Sequence, residues 1–232
     1  MIYFRGCVVR EKIPKIGMAT QQILNKSGTN YHILDGEKCC GSFLLRTGFT
    51  DDAMEVMRNT FDDLKGEKVL VSCAGCYNTL KNDYRELLGV ELDVIHTSTL
   101  FMELIRDSKI EPKKLPVNVC YHDPCHLGRK CGEYEAPRDV LESITNLVEM
   151  ENIKENSRCC GSGGGVKSAY PEIALKLGQK RIEEAINTDT DVLVTSCSFC
   201  LSNLQDAREN MGSKKGLPVM DLSELLLWAL TS

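Results

Sequence analysis

No apolar run in the chain reaches 18 residues, so a membrane-spanning helix is not expected. Positive charge is not in excess either. Lys and Arg number 28 against 33 Asp and Glu, and the net charge of −5 argues against the basic footprint of a nucleic-acid binder. The segment Met1-Ile2-Tyr3-Phe4-Arg5-Gly6-Cys7 lacks the order of a secretory leader and reaches a cysteine at once. No dinucleotide fingerprint follows a strand, which leaves no nicotinamide or flavin site to expect. The ferredoxin-type run Cys-x-x-Cys-x-x-Cys-x-x-x-Cys-Pro is missing as well, so electrons would have to come from a partner. Cysteine, by contrast, is plentiful, with 12 among 232 residues. Disulfide frameworks of that density belong to short chains with leaders. Here Cys-Cys occurs twice and Cys-x-x-Cys twice, which in a reducing cytoplasm reads as ligation of a metal or cluster. Hydrophobic residues at 42% and charged residues at 26% supply an ordinary core without disulfide staples.

The cysteines fall into two matching sets. Cys7, Cys39-Cys40-Gly41 and Cys73-Ala74-Gly75-Cys76 form the first. Cys125, Cys159-Cys160-Gly161 and Cys197-Ser198-Phe199-Cys200 form the second. The offsets are 125 − 7 = 118, 159 − 39 = 120 and 197 − 73 = 124. A period of that length in this chain is a duplicated unit rather than a solenoid. Residues 2–9, 68–72, 117–121 and 192–195 read as buried strands. Thr50-Asp51-Asp52-Ala53 opens a helix, with Thr or Asp as the cap and Ala53, Val56, Met57 and Phe61 on its apolar face. A second helix runs from Tyr170 to Ile186, with Pro171 near its start. The expected fold is α/β: two tandem pseudo-symmetric domains, each a small, mostly parallel sheet flanked by helices. The charged, proline-bearing stretch 108–117 is the expected linker, which gives a first domain over 1–112 and a second over 113–232.

Cys73 and Cys197 each end a strand and precede a helix. Ligands in open α/β sheets gather at that edge, where helix N-termini favour anions. Cys-x-x-Cys turns two sulfurs onto one ion and is common in zinc and iron–sulfur sites, yet thioredoxin-type redox sites use it too. Adjacent cysteines normally diverge, so Cys-Cys serves one centre only when that centre is large. Five cysteines exceed the four of tetrahedral zinc or a simple cluster, which favours a polynuclear cluster of unusual nuclearity. Gly41 and Gly161 allow close backbone approach there, although a plain turn is the simpler reading of each. The run Gly161-Ser162-Gly163-Gly164-Gly165-Val166-Lys167 lacks the spacing of a phosphate loop. It is read as a wrapping loop whose N–H groups donate to sulfur.

The patterns Cys-x31-Cys-Cys-Gly-x31-Cys-x2-Cys and Cys-x33-Cys-Cys-Gly-x35-Cys-x2-Cys resemble the tandem cysteine-rich "CCG" domain. That domain occurs in heterodisulfide reductase catalytic subunits and in related iron–sulfur oxidoreductases. Tyr121-His122-Asp123-Pro124-Cys125-His126-Leu127-Gly128-Arg129 and Cys159-Cys160-Gly161-Ser162-Gly163-Gly164-Gly165-Val166 carry the likeness most specifically, on the side of the D-type branch. The resemblance implies two non-cubane [4Fe–4S] clusters that together split the mixed disulfide of coenzyme M and coenzyme B, a reaction of methanogenesis. It places the first cluster on Cys7, Cys39, Cys40, Cys73 and Cys76, and the second on Cys125, Cys159, Cys160, Cys197 and Cys200. Some relatives hold zinc or an ordinary cubane at one site, so that alternative stays open. The expected partners are a ferredoxin-like iron–sulfur subunit and a flavoprotein, because the fused ferredoxin domain of longer relatives is not seen.

Outside the ligand sets, His122 and His126 flank Cys125 and are candidates for proton delivery. Arg129, Lys130 and Lys167 lie beside the second-half motifs and could take the sulfonate, phosphate or carboxylate of a substrate, with a solvated basic face as the plainer reading. Cys120 reads as strand core, and Cys131 has no assigned role. His96 reads as a structural histidine at a strand end and His32 as a strand-surface residue. Two functions compete: a cytoplasmic reductase subunit acting on a small disulfide, and an electron-transfer subunit of a glycolate, lactate or glycerol-3-phosphate dehydrogenase or thiol:fumarate reductase type complex. A structural zinc module ranks below both, because five cysteines per site exceed its needs.

Overall fold

The computed structural model describes residues 1–212 and 216–232. The first half runs β1 (Ile2–Phe4), α1 (Cys7–Glu11), α2 (Pro14–Lys26), α3 (Ser42–Arg46), α4 (Thr50–Leu64), β2 (Val69–Val71), α5 (Ala74–Asn78), a π-helical turn Thr79–Asp83, α6 (Tyr84–Leu88), β3 (Val94–His96) and α7 (Thr97–Arg106). The second runs β4 (Asn118–His122), α8 (Gly128–Cys131), α9 (Glu135–Ile144), β5 (Asn146–Leu147), α10 (Val166–Ala169), α11 (Pro171–Ile186), β6 (Val192–Thr195), α12 (Ser198–Asn210), β7 (Val219–Asp221) and α13 (Leu222–Thr231).

Two sheets result, ordered β1-β2-β3 and β5-β4-β6-β7, and every strand pairing is parallel. The registers repeat between halves. Phe4 pairs with Val71 as His122 pairs with Thr195, and Val71 pairs with His96 as Thr195 pairs with Asp221. The lone bridge between Ile2 and His32 occupies the place of the β4–β5 pairing, with the His32 side chain half exposed. Parallel strands covered on both faces must be apolar throughout. Val69–Val71 and Val192–Thr195 are accordingly buried at every position.

The strand expected over residues 2–9 is shorter than its apolar run. It ends at Phe4, Gly6 turns the chain at φ 77°, and Cys7 opens α1. Apolar Val8 and Val9 therefore belong to a helix, with Val9 buried. The cap of α4 also differs from expectation. Thr50 is the first helical residue, Phe49 stands at the cap position, and no side chain caps the helix. Pro171 opens α11 as expected.

Each half lends a helix to the other. α7 packs on α9, and α13 packs on α2. The apolar core is shared in consequence: Tyr3, Leu70 and Ile95 lie in one buried cluster with Val119, Tyr121, Leu222 and Leu225. Among the described residues, no helix is long and apolar enough to cross a membrane.

Candidate iron–sulfur site

Because all strands are parallel, their C-terminal ends share one edge. Cys7, Cys73, Cys125 and Cys197 follow β1, β2, β4 and β6 there. Cys73 and Cys197 are the cap residues of α5 and α12, and Cys76 and Cys200 lie in the first turns of those helices. Free N–H groups and the positive helix end face thiolate sulfur at that position. Each Cys-Cys pair arrives on a loop. Cys40 and Cys160 turn inward and are buried, while Cys39 is half-buried and Cys159 exposed.

Backbone geometry closes the sulfurs on one another. Gly6 leaves room for Cys76, whose Sγ would stand 2.9 Å from a Cβ at residue 6. Gly161 adopts φ +91°, and a Cβ there would meet the Ala174 carbonyl oxygen at 2.5 Å. Cys40 and Cys76 Sγ are 3.3 Å apart. The Gly41 N–H donates to Cys39 Sγ at 3.4 Å, and the Gly161 and Ser162 N–H groups donate to Cys159 and Cys160 Sγ at 3.3 and 3.5 Å. The wrapping role expected of that loop is met at its first two residues.

The thiols strongly perturb one another. Hydrogen bonding from Cys40 holds the Cys39 thiol well below its ordinary acidity, and the same bond pushes Cys40 up. Cys159 lowers Cys160 and is itself raised. Across the halves, a bond from Cys197 lowers Cys73. A few thiolates thus share the protons of many thiols in a desolvated pocket. Only a polycationic centre could hold all of them as thiolates, and that chemistry fits iron–sulfur binding rather than a single divalent ion.

The two sites share a wall. A cleft of about 580 Å³, including its open mouth, reaches Cys125, Cys159, Cys160, Cys197 and Cys200. A second cleft reaches Cys7, Cys39, Cys40, Cys73 and Cys76. Ser42, Phe43, Gly75 and Phe199 line both. The ten cysteines of the two motifs thus come together in two adjoining groups. Cys120 is core, fully buried in β4, and Cys131 is half-buried beside Asn78 and Asn82.

The expected cations lie elsewhere. Neither Arg129, Lys130 nor Lys167 is among the residues that line the cleft. Arg129 donates to the Ser157 and Glu155 carbonyls, Lys167 pairs with Asp206 at 2.7 Å, and Lys130 is exposed. Arg46 is the cation on the wall, and Asp83 holds it at 2.5 Å. Sequence reading passed over Arg46 because its link to Asp83 spans 37 residues and depends on the π-helical turn. Such turns are frequent at functional sites.

His126 lines the cleft, half-buried, and burial lowers its basicity. His122 is buried behind the wall, where its imidazole, Cys160 and Cys200 bring three ligand atoms within 4.8 Å of one another. The fully buried Arg181 donates to His122 and was not foreseen. Its signal was present in the sequence: it falls on the stripe of Ala174, Gly178, Ile182 and Ala185 that α11 buries, where a charge is out of place. His96 is structural as expected, with Nδ1 accepting the Ser98 N–H at the start of α7.

Paired α/β halves with ten cysteines at one sheet edge define a thiolate-rich cofactor protein. The chain belongs to the CCG cysteine-rich domain family, which matches residues 1–81 and 119–205. It is 41% identical to the D-type subunit of the dihydromethanophenazine:CoB–CoM heterodisulfide reductase of Methanosarcina acetivorans, over 99% of this chain and 59% of that protein. It is 39% identical to the B-type subunit of the CoM/CoB fumarate reductase of Methanothermobacter marburgensis, over 96% of this chain and 45% of that one. An EtfAB:quinone oxidoreductase of Syntrophomonas wolfei is 30% identical over 97% of this chain and 34% of its own length. The chain therefore spans well under two thirds of these relatives.

Proposed function

We propose that this chain carries two non-cubane [4Fe–4S] clusters and works as the disulfide-reducing subunit of a cytoplasmic complex. The first cluster would use Cys7, Cys39, Cys40, Cys73 and Cys76, and the second Cys125, Cys159, Cys160, Cys197 and Cys200. The substrate would be a mixed disulfide such as that of coenzyme M and coenzyme B, with electrons from a ferredoxin-like iron–sulfur subunit and a flavoprotein. The observation that carries this reading is the shared wall: two five-cysteine clefts meet at Ser42, Phe43, Gly75 and Phe199, so one small molecule can touch both.

When bound, the clusters supply electrons singly to a disulfide, which takes up two electrons and two protons to become two thiols. The chain supplies the rest. Phe43 and Phe199 give the cleft apolar walls that exclude water from the sulfur–sulfur bond. Arg46, held by Asp83, is placed to take an anionic end such as a sulfonate or carboxylate. Arg129, Lys130 and Lys167 would act only on the outer reaches of a longer anion. His126 stands on the wall with its Nδ1 3.8 Å from Cys125 Sγ, where it can pass a proton toward a departing thiolate.

The test is dye-linked turnover under anaerobic conditions. Protein loaded with iron and sulfide, supplied with a reduced viologen, is expected to oxidise the dye when the mixed disulfide is added. Loaded protein that exchanges electrons with dyes yet ignores every small disulfide would contradict this reading in favour of an electron-transfer subunit.

A further inference from the structure

The two halves repeat one another closely, yet behind their cysteines they differ. In the second half, fully buried Arg181 donates its Nε–H to His122 Nδ1 at 3.2 Å. Its Nη1 donates to the Asn152 carbonyl at 2.8 Å and pairs with Glu184 at 2.9 Å. A guanidinium has donors only, so Nδ1 must accept, and the ring proton sits on Nε2. His122 Nε2 is buried without a partner in the chain. It is the nitrogen left to face Cys160 and Cys200, whose sulfurs lie within 4.8 Å of the ligand atom of this imidazole.

The first half has no such arm. The strand register puts Phe4 where His122 stands, since Phe4 pairs with Val71 as His122 pairs with Thr195. A Cβ on Gly41 would meet the Ala53 carbonyl as one on Gly161 would meet that of Ala174. Seven residues further on, Thr60 therefore stands where Arg181 does, and it donates to the Cys39 carbonyl at 2.7 Å. Near the first site the buried carboxylate Glu37 accepts from the Arg5 and Gly6 N–H groups and pairs with Arg10. Neither Phe4 nor Thr60 offers an N–H to sulfur.

We propose that Arg181 and His122 form a donor arm that presents an Nε2–H to the sulfur of the second cluster and makes that cluster the easier of the two to reduce. This rests on the two-cluster reading above. A hydrogen bond to sulfur stabilises the reduced, more negative cluster and so raises its potential. His122 is the donor, and Arg181 is a positioning residue that acts through it. The arm thus gives an otherwise symmetric pair a direction, with the electron resting on the second half.

The experiment uses the whole chain, purified anaerobically, with iron and sulfide counted and both midpoints followed by electron paramagnetic resonance. His122→Phe copies the first half, Arg181→Met removes the anchor at similar volume, and His122→Gln keeps an N–H. The inference expects one midpoint to fall in His122→Phe by about 59 mV, a tenfold loss in the one-electron equilibrium constant. Arg181→Met is expected to lower the same midpoint, His122→Gln to recover much of it, and the other midpoint to stay. Weak coupling to 15N-labelled imidazole is expected. Should His122→Phe lose iron, Arg181→Met, whose side chain donates to no cysteine, decides the matter. Unchanged midpoints in fully loaded Arg181→Met, or the strong coupling of a ligated imidazole, would overturn the inference. Wild-type protein without iron would instead remove the cluster reading, and this inference with it.

Discussion

At Gly161 a single absent Cβ decides how tightly a cysteine loop can close. The residue combines φ +91° with a neighbouring carbonyl that would lie at 2.5 Å from a side chain. Gly161→Ala is expected to lower stability by roughly 3 kcal/mol or more in urea unfolding, from left-handed strain and the carbonyl clash together. A loss within about 0.5 kcal/mol would show that the loop relaxes freely. Arg46 offers a different test. Asp83→Ala frees its guanidinium, so KM for an anionic disulfide is expected to rise several-fold with kcat little changed, as loss of uniform binding does. The ten cysteines were legible because ligands of one centre recur at fixed spacing. Arg46 and Arg181 were not, because each acts through a partner far away in sequence, Asp83 in one case and His122 in the other. The cations nearest in sequence, Arg129, Lys130 and Lys167, are directed to other partners or to solvent.

Elements were legible where apolar runs were bounded by charge, as at Val69–Val71 and Val192–Thr195. Residues 2–9 misled because α1 starts within the same apolar run, and only the positive φ of Gly6 divides strand from helix. Hydrophobicity alone does not tell a short buried strand from a short buried helix. At the far end of the second sheet, Asp221 ends β7 and caps α13 by accepting from the Ser223 N–H at 2.9 Å. Burial pushes its acidity from the ordinary 3.8 up to about 7, against the opposing Ser223 hydrogen bonds. Between those pH values the folded chain keeps a proton that the unfolded chain has released. The contribution of Asp221 to stability is therefore full below about pH 4 and falls as pH rises toward 7. Asp221→Asn, which can still cap, is expected to gain on the wild type at pH 8 relative to pH 5, by an amount on the order of a few kcal/mol. Urea unfolding at the two pH values measures this, and an unchanged difference between the proteins would contradict the assignment.

For the molecule as a whole, the duplication was legible from cysteine offsets alone. The reciprocal packing of α7 on α9 and of α13 on α2 was not, because a repeat reveals equivalent parts and not which partner each part chooses. A core that mixes Leu70 and Ile95 with Val119 and Leu225 is expected to unfold in one transition, coincident by fluorescence and circular dichroism. Two separated transitions would mean that segments 1–112 and 113–232 stand alone. The central claim is that ten thiolates in adjoining clefts hold two clusters within reach of one disulfide. The most direct measurement is iron, zinc and acid-labile sulfide in protein purified without oxygen, with paramagnetic resonance after oxidation in the presence of small thiols. About eight irons and eight sulfides per chain, the count for two [4Fe–4S] clusters, with a signal that appears only with thiol, is the predicted result. Zinc at both sites with negligible sulfide would contradict it.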